Sequence, residues 1–452
     1  MTLHTIEKTK PEPATAGIES KQTTVGSVFV SNYPPYSAWG DKDVPAVREA
    51  LAAPPHPDAT LGLYMHIPFC RKRCKFCYFR VYTDKNSSEI DVYLNALAKE
   101  IELYSVQPAV AGRPLRFVYF GGGTPSYISV KHLKTLVSRV KAVLPWGTAE
   151  EVAFECEPGT LTQKKLEAIR SVGVTRLSLG VENLNDEILA ENGRAHLTKE
   201  VYRIAPWIKA LDFPQVNIDL ISGMIGETWE SWRETVEKTI ALEPDSITVY
   251  QLELPFNTVY SRDILGGDSL SVADWKLKRE WHQYANEQFA AAGYRRSSAY
   301  TMVKDRGQSQ QFVYRDAVWQ GSDMLGTGVA SFSHLSGIHF QNAPSWGDYL
   351  AHLEGDRLPV SRALMPTDEE RLTREMILQL KLGEIRPSYF EEKFGADILT
   401  RFAGAYKKLR DDGMLTFASG ADEIRLTQRG LLQVDALLPT FYAPEYQHTR
   451  YT

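Results

Sequence analysis

Short apolar runs alternate with amphipathic stretches along the first two thirds of the chain. The apolar runs cover 62–67, 115–120, 151–155, 174–179, 215–221 and 246–251. Their length and bounding turn signals predict buried strands. Between them, apolar positions recur with helical period near 89–105, 129–144, 162–172, 185–191, 198–210, 227–241 and 272–292. The spacing of about 25–35 residues is the rhythm of parallel βα units. Six units are too few for a closed eightfold barrel, so the pattern predicts an open, partial one.

Outside 61–300 the pattern changes. Residues 1–24 are polar and read as a tail. Residues 25–60 hold Phe29-Val-Ser-Asn-Tyr-Pro-Pro-Tyr-Ser-Ala-Trp39, whose two prolines exclude a helix and predict an extended arm over the core. Residues 301–365 read as an extension of the barrel. In 366–452, helical patterns at 368–383, 387–394 and 397–412 stop at Gly413. Two strands at 415–418 and 423–427 and a helix near 428–438 follow. That order predicts a winged-helix-like α+β domain. It is not notably basic, which favours a lid or docking module over a DNA reader.

Composition narrows the classes. The 452 residues carry a net charge of −5, which gives no general attraction to nucleic acid. No apolar run approaches the ~20 residues that span a bilayer, and the polar start lacks a signal core. Four cysteines without an even framework point to a reducing compartment. The expectation is a cytoplasmic protein with no membrane or nucleic-acid partner.

Three of those cysteines, Cys70, Cys74 and Cys77, lie just past the first strand, spaced C-x3-C-x2-C. In a barrel that is the face where ligands bind. A four-iron cluster usually takes four thiolates, so three leave one iron open. A structural zinc site needs a fourth ligand at matching spacing, and none follows. Inert buried thiols fit poorly beside Arg71, Lys72, Arg73, Lys75 and Arg80, which favour thiolate. Cys156 lies in the third strand, where alternation makes it a buried small residue.

This spacing after a strand, with Tyr64-Met-His-Ile-Pro-Phe-Cys70 before it, resembles the radical S-adenosylmethionine (SAM) superfamily. Within it the chain is similar to the branch of oxygen-independent coproporphyrinogen III oxidase, which also holds a haem chaperone and radical methylases and cyclopropanases. The resemblance implies an α/β fold, a partial (β/α)6 radical SAM barrel carrying the winged-helix-like domain. It implies a [4Fe–4S] cluster on the three cysteines and SAM on the open iron. The methylase relatives imply a second SAM.

Strand ends carry the remaining matches. Phe120-Gly-Gly-Gly-Thr-Pro125 reads by itself as a tight turn whose glycines let backbone approach a ligand. By resemblance Gly122, Gly123 and Thr124 bind the amino group of SAM, and Tyr64 and Phe76 line its site. Glu155 matches the family's SAM-binding Glu, and Arg194 the Arg that pairs with the SAM carboxylate. Asp219 matches the Asp that contacts the ribose. Glu182 stands where the family usually has Gln, and either accepts from a ribose hydroxyl. Trp319 to Ser331 resembles the family's Gly-x-Gly-x-x-Ser stretch. His196 reads as a helix-end residue.

The function expected is reductive cleavage of SAM to a 5′-deoxyadenosyl radical that abstracts hydrogen from a small organic substrate. A reductase or flavodoxin-type donor would supply the electron. Oxidases of the branch usually add a fourth Cys, whereas Tyr78 and Phe79 follow Cys77 here. Methylases and cyclopropanases share that lack. Haem chaperones typically carry Cys-x-His-Asn where this chain has Phe312-Val-Tyr-Arg-Asp316, which argues against haem carriage.

Overall fold

The computed structural model describes residues 22–305, 312–417, 422–447 and 449–451. Most of the expected tail and Ala418 of the expected strand 415–418 lie outside them. After a short helix α1 (Val44–Ala52), six parallel strands run in sequence order: β1 (Leu61–Ile67), β2 (Leu115–Gly122), β3 (Glu151–Cys156), β4 (Arg176–Glu182), β5 (Gln215–Ser222) and β6 (Ser246–Gln251). The crossovers are α2 (Ser87–Ser105), α3 (Val130–Val143), α4 (Gln163–Ser171), the pair α5 (Asp186–Glu191) and α6 (Thr198–Leu211), and α7 (Trp229–Ala241). Sequence rhythm and structure agree on six units.

Local chemistry sets the helix starts. Asn86 accepts from Ser88 N and Glu89 N while Glu89 returns to Asn86 N, a capping box that opens α2. Ser129, Thr162, Asn185 and Thr228 cap α3, α4, α5 and α7 in the same manner. The outer face of the sheet packs on these helices in one large core that includes Leu63, Met65, Phe120, Phe154, Leu177 and Trp232. Cys156 belongs to that core, as alternation from Glu155 predicts.

The sheet grows at both edges, which the periodicity did not show. After α8 (Val259–Gly266) and α9 (Trp275–Ala291), β7 (Tyr294–Arg296) and β8 (Thr301–Lys304) form a hairpin whose β8 runs antiparallel to β6. Past α10 (Val313–Trp319), β9 (Asp323–Thr327) pairs parallel to β1. The strands β10 (Phe332–Leu335), β11 (Ile338–Asn342) and, after α11 (Trp346–Glu354), β12 (Val360–Leu364) continue outward, giving twelve strands. Five strands of 301–365, β8 to β12, thus lie in the same sheet as the six parallel strands.

The C-terminal domain forms a second core around Met376, Ile377, Phe390, Leu409 and Ile424. Its helices are α12 (Asp368–Leu380), α13 (Pro387–Phe394), α14 (Ile398–Arg401) and α15 (Ala403–Asp411), with β13 (Glu384–Ile385), β14 (Leu415–Phe417) and β15 (Ile424–Leu426) in one sheet. The expected helix 397–412 breaks at Phe402, and the expected 428–438 divides into α16 (Gln428–Leu431) and α17 (Val434–Leu437). Strand β13, only two residues long, was too short to show as a pattern.

The arm is extended, as its prolines require, and it clasps both domains. Gly26 N donates to Leu254 O at 2.8 Å on the barrel, and Val30 N donates to Asp435 at 2.9 Å on the C-terminal domain. Among the described residues no helix is long and apolar enough to cross a membrane.

Candidate active site

The cysteine loop leaves β1 at Pro68 and is closed by a bridge between Phe69 and Tyr82, with Cys70 N donating to Tyr82 O at 3.0 Å. Inside it Cys77 N donates to Cys74 O at 3.2 Å, so the last two thiols share a tight turn. The loop is pinned from outside: Lys75 N donates to Asn192 O at 3.1 Å and Asn257 Nδ2 to Tyr78 O at 2.7 Å. All three loop cysteines are free and half-buried. Among the described residues no three His, Cys, Asp or Glu side chains converge on a point that would hold a single ion. A cluster instead distributes its thiolates over separate irons, so the donor set fits the larger group and not zinc.

Of the loop cations, Arg73 favours the Cys77 thiolate by its charge and donates to Cys77 O at 3.1 Å, whereas Arg71 faces Glu157 at 3.4 Å and Lys75 pairs with Glu191 at 3.0 Å. A direct hydrogen bond to sulfur comes from the turn after α5: Arg194 Nη1 donates to Cys74 Sγ at 3.2 Å. Burial pushes the Cys70 thiol up to about 11 and the Cys77 thiol up to about 12. Deprotonation there is favourable only when a bound cation accompanies it.

The glycines after β2 make room for this loop. A Cβ on Gly123 would lie 2.9 Å from Pro68 C and 3.1 Å from Cys70 Sγ, and one on Gly122 would meet the His66 ring at 2.6 Å. Gly122 also has φ +113°, a conformation side chains resist. Thr124 Oγ1 lies 3.3 Å from Cys70 Sγ. Tyr64 stacks on Tyr119 and its hydroxyl is 3.2 Å from His66 Nδ1. Phe76, on the loop, packs against Ile188, Ile221, Met224 and Leu252.

Three carboxylates stand on successive strands, Glu155 and Glu182 at or near the ends of β3 and β4 and Asp219 within β5. Glu155 on β3 accepts from Tyr119 at 2.8 Å and from Gly122 N at 3.1 Å. Asp219 on β5 accepts from Ser178 and from Asn217 Nδ2, both at 2.8 Å. Glu182 on β4 sits at φ +66°, where the β4–β5 register shifts between Gly180 and Glu182. Such a kink re-aims a side chain, and non-glycine residues seldom adopt it without cause. The sequence ended this strand at 179; the structure carries it to Glu182. Arg194 Nη2 lies 3.7 Å from Glu182 and also donates to Gly180 O.

Burial raises all three acids, Glu155 and Glu182 to about 7, and Asp219 and Glu182 repel Glu155. Arg194 acts on Glu182 and Arg176 on Asp219, so three desolvated acids face two guanidinium groups and the site keeps an excess of negative charge. A ligand ammonium would offset it.

Tyrosines gather near the acids: Tyr119, which donates to Glu155, packs on Tyr314 of α10 with 4.2 Å between ring centroids. Tyr78 and Tyr250 keep 40 % and 37 % of their surface accessible, and burial and the charge of Glu155 raise both hydroxyl pKa values. Tyr36 of the arm packs on Phe332 with 4.1 Å between ring centroids. Periodicity carries no sign of the packing of Tyr250 on Tyr300 or of Tyr314 on Tyr119, which distant segments bring together. His196, just before the α6 cap, is buried, with Nδ1 3.1 Å from Glu157 Oε1 and Nε2 3.3 Å from Val181 O.

Comparison with known proteins agrees with this geometry. Residues 64–239 match the radical SAM superfamily model and 367–432 the HemN C-terminal domain. The chain belongs to the radical SAM superfamily. The pairing of these two domains sets this radical SAM chain in the branch that holds HemN and HemW. It is 28 % identical over 423 residues to the oxygen-independent coproporphyrinogen III oxidase of Pseudomonas aeruginosa, covering 90 % of each chain. It is 27 % identical over 372 residues to the haem chaperone HemW of Bacillus subtilis, covering 82 % of this chain and 96 % of that one. The solved structure of Escherichia coli coproporphyrinogen III oxidase HemN superposes with a TM-score of 0.80 at 22 % identity, over 91 % of this chain and 96 % of the other, and shows the same fold.

Proposed function

We propose that this radical SAM protein is an enzyme that cleaves SAM reductively and uses the resulting radical on a small organic substrate. Cys70, Cys74 and Cys77 would hold a [4Fe–4S] cluster, which the family implies together with SAM. When bound and reduced, the cluster supplies the electron that opens the sulfonium to methionine and a 5′-deoxyadenosyl radical, which abstracts hydrogen. The protein's part is to bind and orient. Arg194 takes the carboxylate of SAM, where a planar fork suits a carboxylate. Gly122, Gly123 and Thr124 with Glu155 receive its ammonium, Glu182 and Asp219 its ribose hydroxyls, and Tyr64 and Phe76 flank it. The observation that carries this reading is the set of three buried acids short of a cation beside the cysteine loop.

For the substrate we favour methyl or methylene transfer, by a radical C-methylase or cyclopropanase drawing on a second SAM. The cysteine loop supports this choice, because Tyr78 and Phe79 rather than a further Cys follow Cys77. The second reading, a coproporphyrinogen III oxidase-like oxidoreductase, draws on the similarity to the Pseudomonas enzyme over 423 residues. A third, a haem-binding chaperone without turnover, draws on the HemW relative. Against it, Val313 N and Tyr314 N donate to Glu151 as α10 begins, which commits this segment to the fold.

Anaerobic turnover separates the readings. The reconstituted protein is given SAM and reductant, with and without coproporphyrinogen, and 5′-deoxyadenosine and S-adenosylhomocysteine are followed by mass spectrometry. Co-production of both, indifferent to porphyrinogen, supports carbon transfer. Deoxyadenosine alone, rising with porphyrinogen, replaces it with the oxidase. Stoichiometric haem binding without either product leaves the chaperone.

A further inference from the structure

Next to the cysteine loop is a surface crevice of about 340 Å³ that the reading above leaves without a role. Arg71 and Lys72 line it from the loop, Arg194 from the turn after α5, and Lys199 and Arg203 from α6. The lining holds one carboxylate, Glu200. That carboxylate is occupied as a cap, accepting from Leu197 N at 2.9 Å. In a chain of net charge −5 this is a local reversal of sign.

Not all five cations are free to meet a partner. Arg71 is partly offset by Glu157 at 3.4 Å and Arg194 by Glu182 at 3.7 Å. Lys72 and Arg203 are exposed and, among the described residues, have no carboxylate within 4.0 Å. Lys199, with 76 % of its side chain exposed, only grazes Glu200 at 4.0 Å. Arg203 Nη2 donates to a backbone oxygen, Leu161 O, at 3.3 Å, so the rim presents outward positive charge with little carboxylate to offset it. The inner wall is different: Arg194 reaches from the crevice to Cys74, with 3.2 Å between Nη1 and Sγ. One side chain separates the crevice from a thiol assigned to the cluster.

From these observations we infer that the crevice and its rim are the docking surface for an acidic one-electron carrier protein of the flavodoxin type. The inference rests on the radical SAM reading and gives that chemistry its electron inlet. The carrier's reduced flavin loses one electron, the cluster gains it, and no atom changes hands. Charge complementarity of this kind speeds encounter and fixes orientation, and it weakens as salt rises.

The test uses the cluster-loaded protein and its Lys199→Glu/Arg203→Glu variant, with a flavodoxin as the probe. Affinity is read from flavin fluorescence anisotropy at low and moderate salt, and SAM cleavage is driven either by flavodoxin with its reductase or by dithionite. The expected result is flavodoxin binding that weakens with salt in the parent protein. The variant should lose about tenfold in affinity and most of the salt dependence, as paired charges at docking surfaces do. Its flavodoxin-driven rate falls in step while its dithionite-driven rate matches the parent. Equal flavodoxin affinity in both proteins overturns the inference. So does an equal loss with both reductants, which would mean that the two residues serve the fold. So does competition by inorganic phosphate at millimolar level without any flavodoxin binding, which would make the crevice a small-anion site. Absence of dithionite-driven cleavage in both proteins counts against the radical reading alone, because the binding measurement still reports on the surface.

Discussion

Glu182 concentrates the residue-scale argument. Its backbone is held at φ +66°, its carboxyl is raised to about 7 by burial, and Arg194 is its nearest charge at 3.7 Å. Relatives of this type usually place Gln there. If the side chain serves to accept from a ribose hydroxyl, a neutral acceptor does the same work without the desolvated charge. Glu182→Gln should then keep SAM affinity within a few fold, whereas Glu182→Ala should lose about tenfold, the value of one hydrogen bond at about 1.4 kcal/mol. Equilibrium binding of SAM to the cluster-loaded variants checks this; equal losses for both would remove the acceptor role. At this scale the sequence was most informative where polarity broke a strand. Asp219 stands out inside an apolar run and Glu155 ends one; the structure puts Glu155 next to last on β3 and Asp219 within β5. His196, read as a helix-end residue, stands just before the α6 cap, and its partner Glu157, 39 residues earlier, meets it only through the fold.

At the scale of elements, the Gly326-x-Gly328 stretch shows how a weak motif can carry a structural duty. Gly326 passes so close to Phe332 that a Cβ would strike its carbonyl, and one on Gly328 would come within 2.5 Å of the Tyr93 hydroxyl. Gly328 N donates to Glu100 at 2.8 Å, and Tyr349 and Asn342 donate to the same carboxyl at 2.6 Å each. This buried acid ties α2, the turn after β9, β11 and α11 together. Burial raises it to about 7 against these donors, from the usual value near 4.3. The folded state thus binds a proton more tightly than the unfolded chain. Its contribution is full below about pH 4.3 and is lost as pH rises through about 7. Glu100→Gln should flatten stability across that window, measured by denaturant unfolding at pH 5 and pH 8; an unchanged slope would assign the pH dependence elsewhere. Six βα units were legible because their periods are local. The strands β9 to β12 were not, since they are short and join the sheet only through β9, which pairs with β1 across more than 250 residues of chain.

For the whole molecule, the account joins three parts that sequence analysis could only set side by side. The arm bridges barrel and C-terminal domain: Lys381 pairs with Asp435 and donates to Val30 O, and Tyr451 OH accepts from Asn32 N at 2.7 Å. Those contacts hold Tyr36 of the arm against Phe332 and Tyr451. Acids and thiols meet through one side chain, since Arg194 lies 3.7 Å from Glu182 and 3.2 Å from Cys74 Sγ. In the proposed reading a cluster on Cys70, Cys74 and Cys77 makes SAM a source of radicals there. Iron content, visible absorption and 5′-deoxyadenosine release by the anaerobically reconstituted protein and its Cys74→Ala variant test it most directly. The account predicts about four irons per chain in the parent, release of deoxyadenosine on reduction with SAM, and neither property in the variant. An iron-replete Cys74→Ala protein, or a fully loaded parent that leaves SAM intact under reduction, would contradict it.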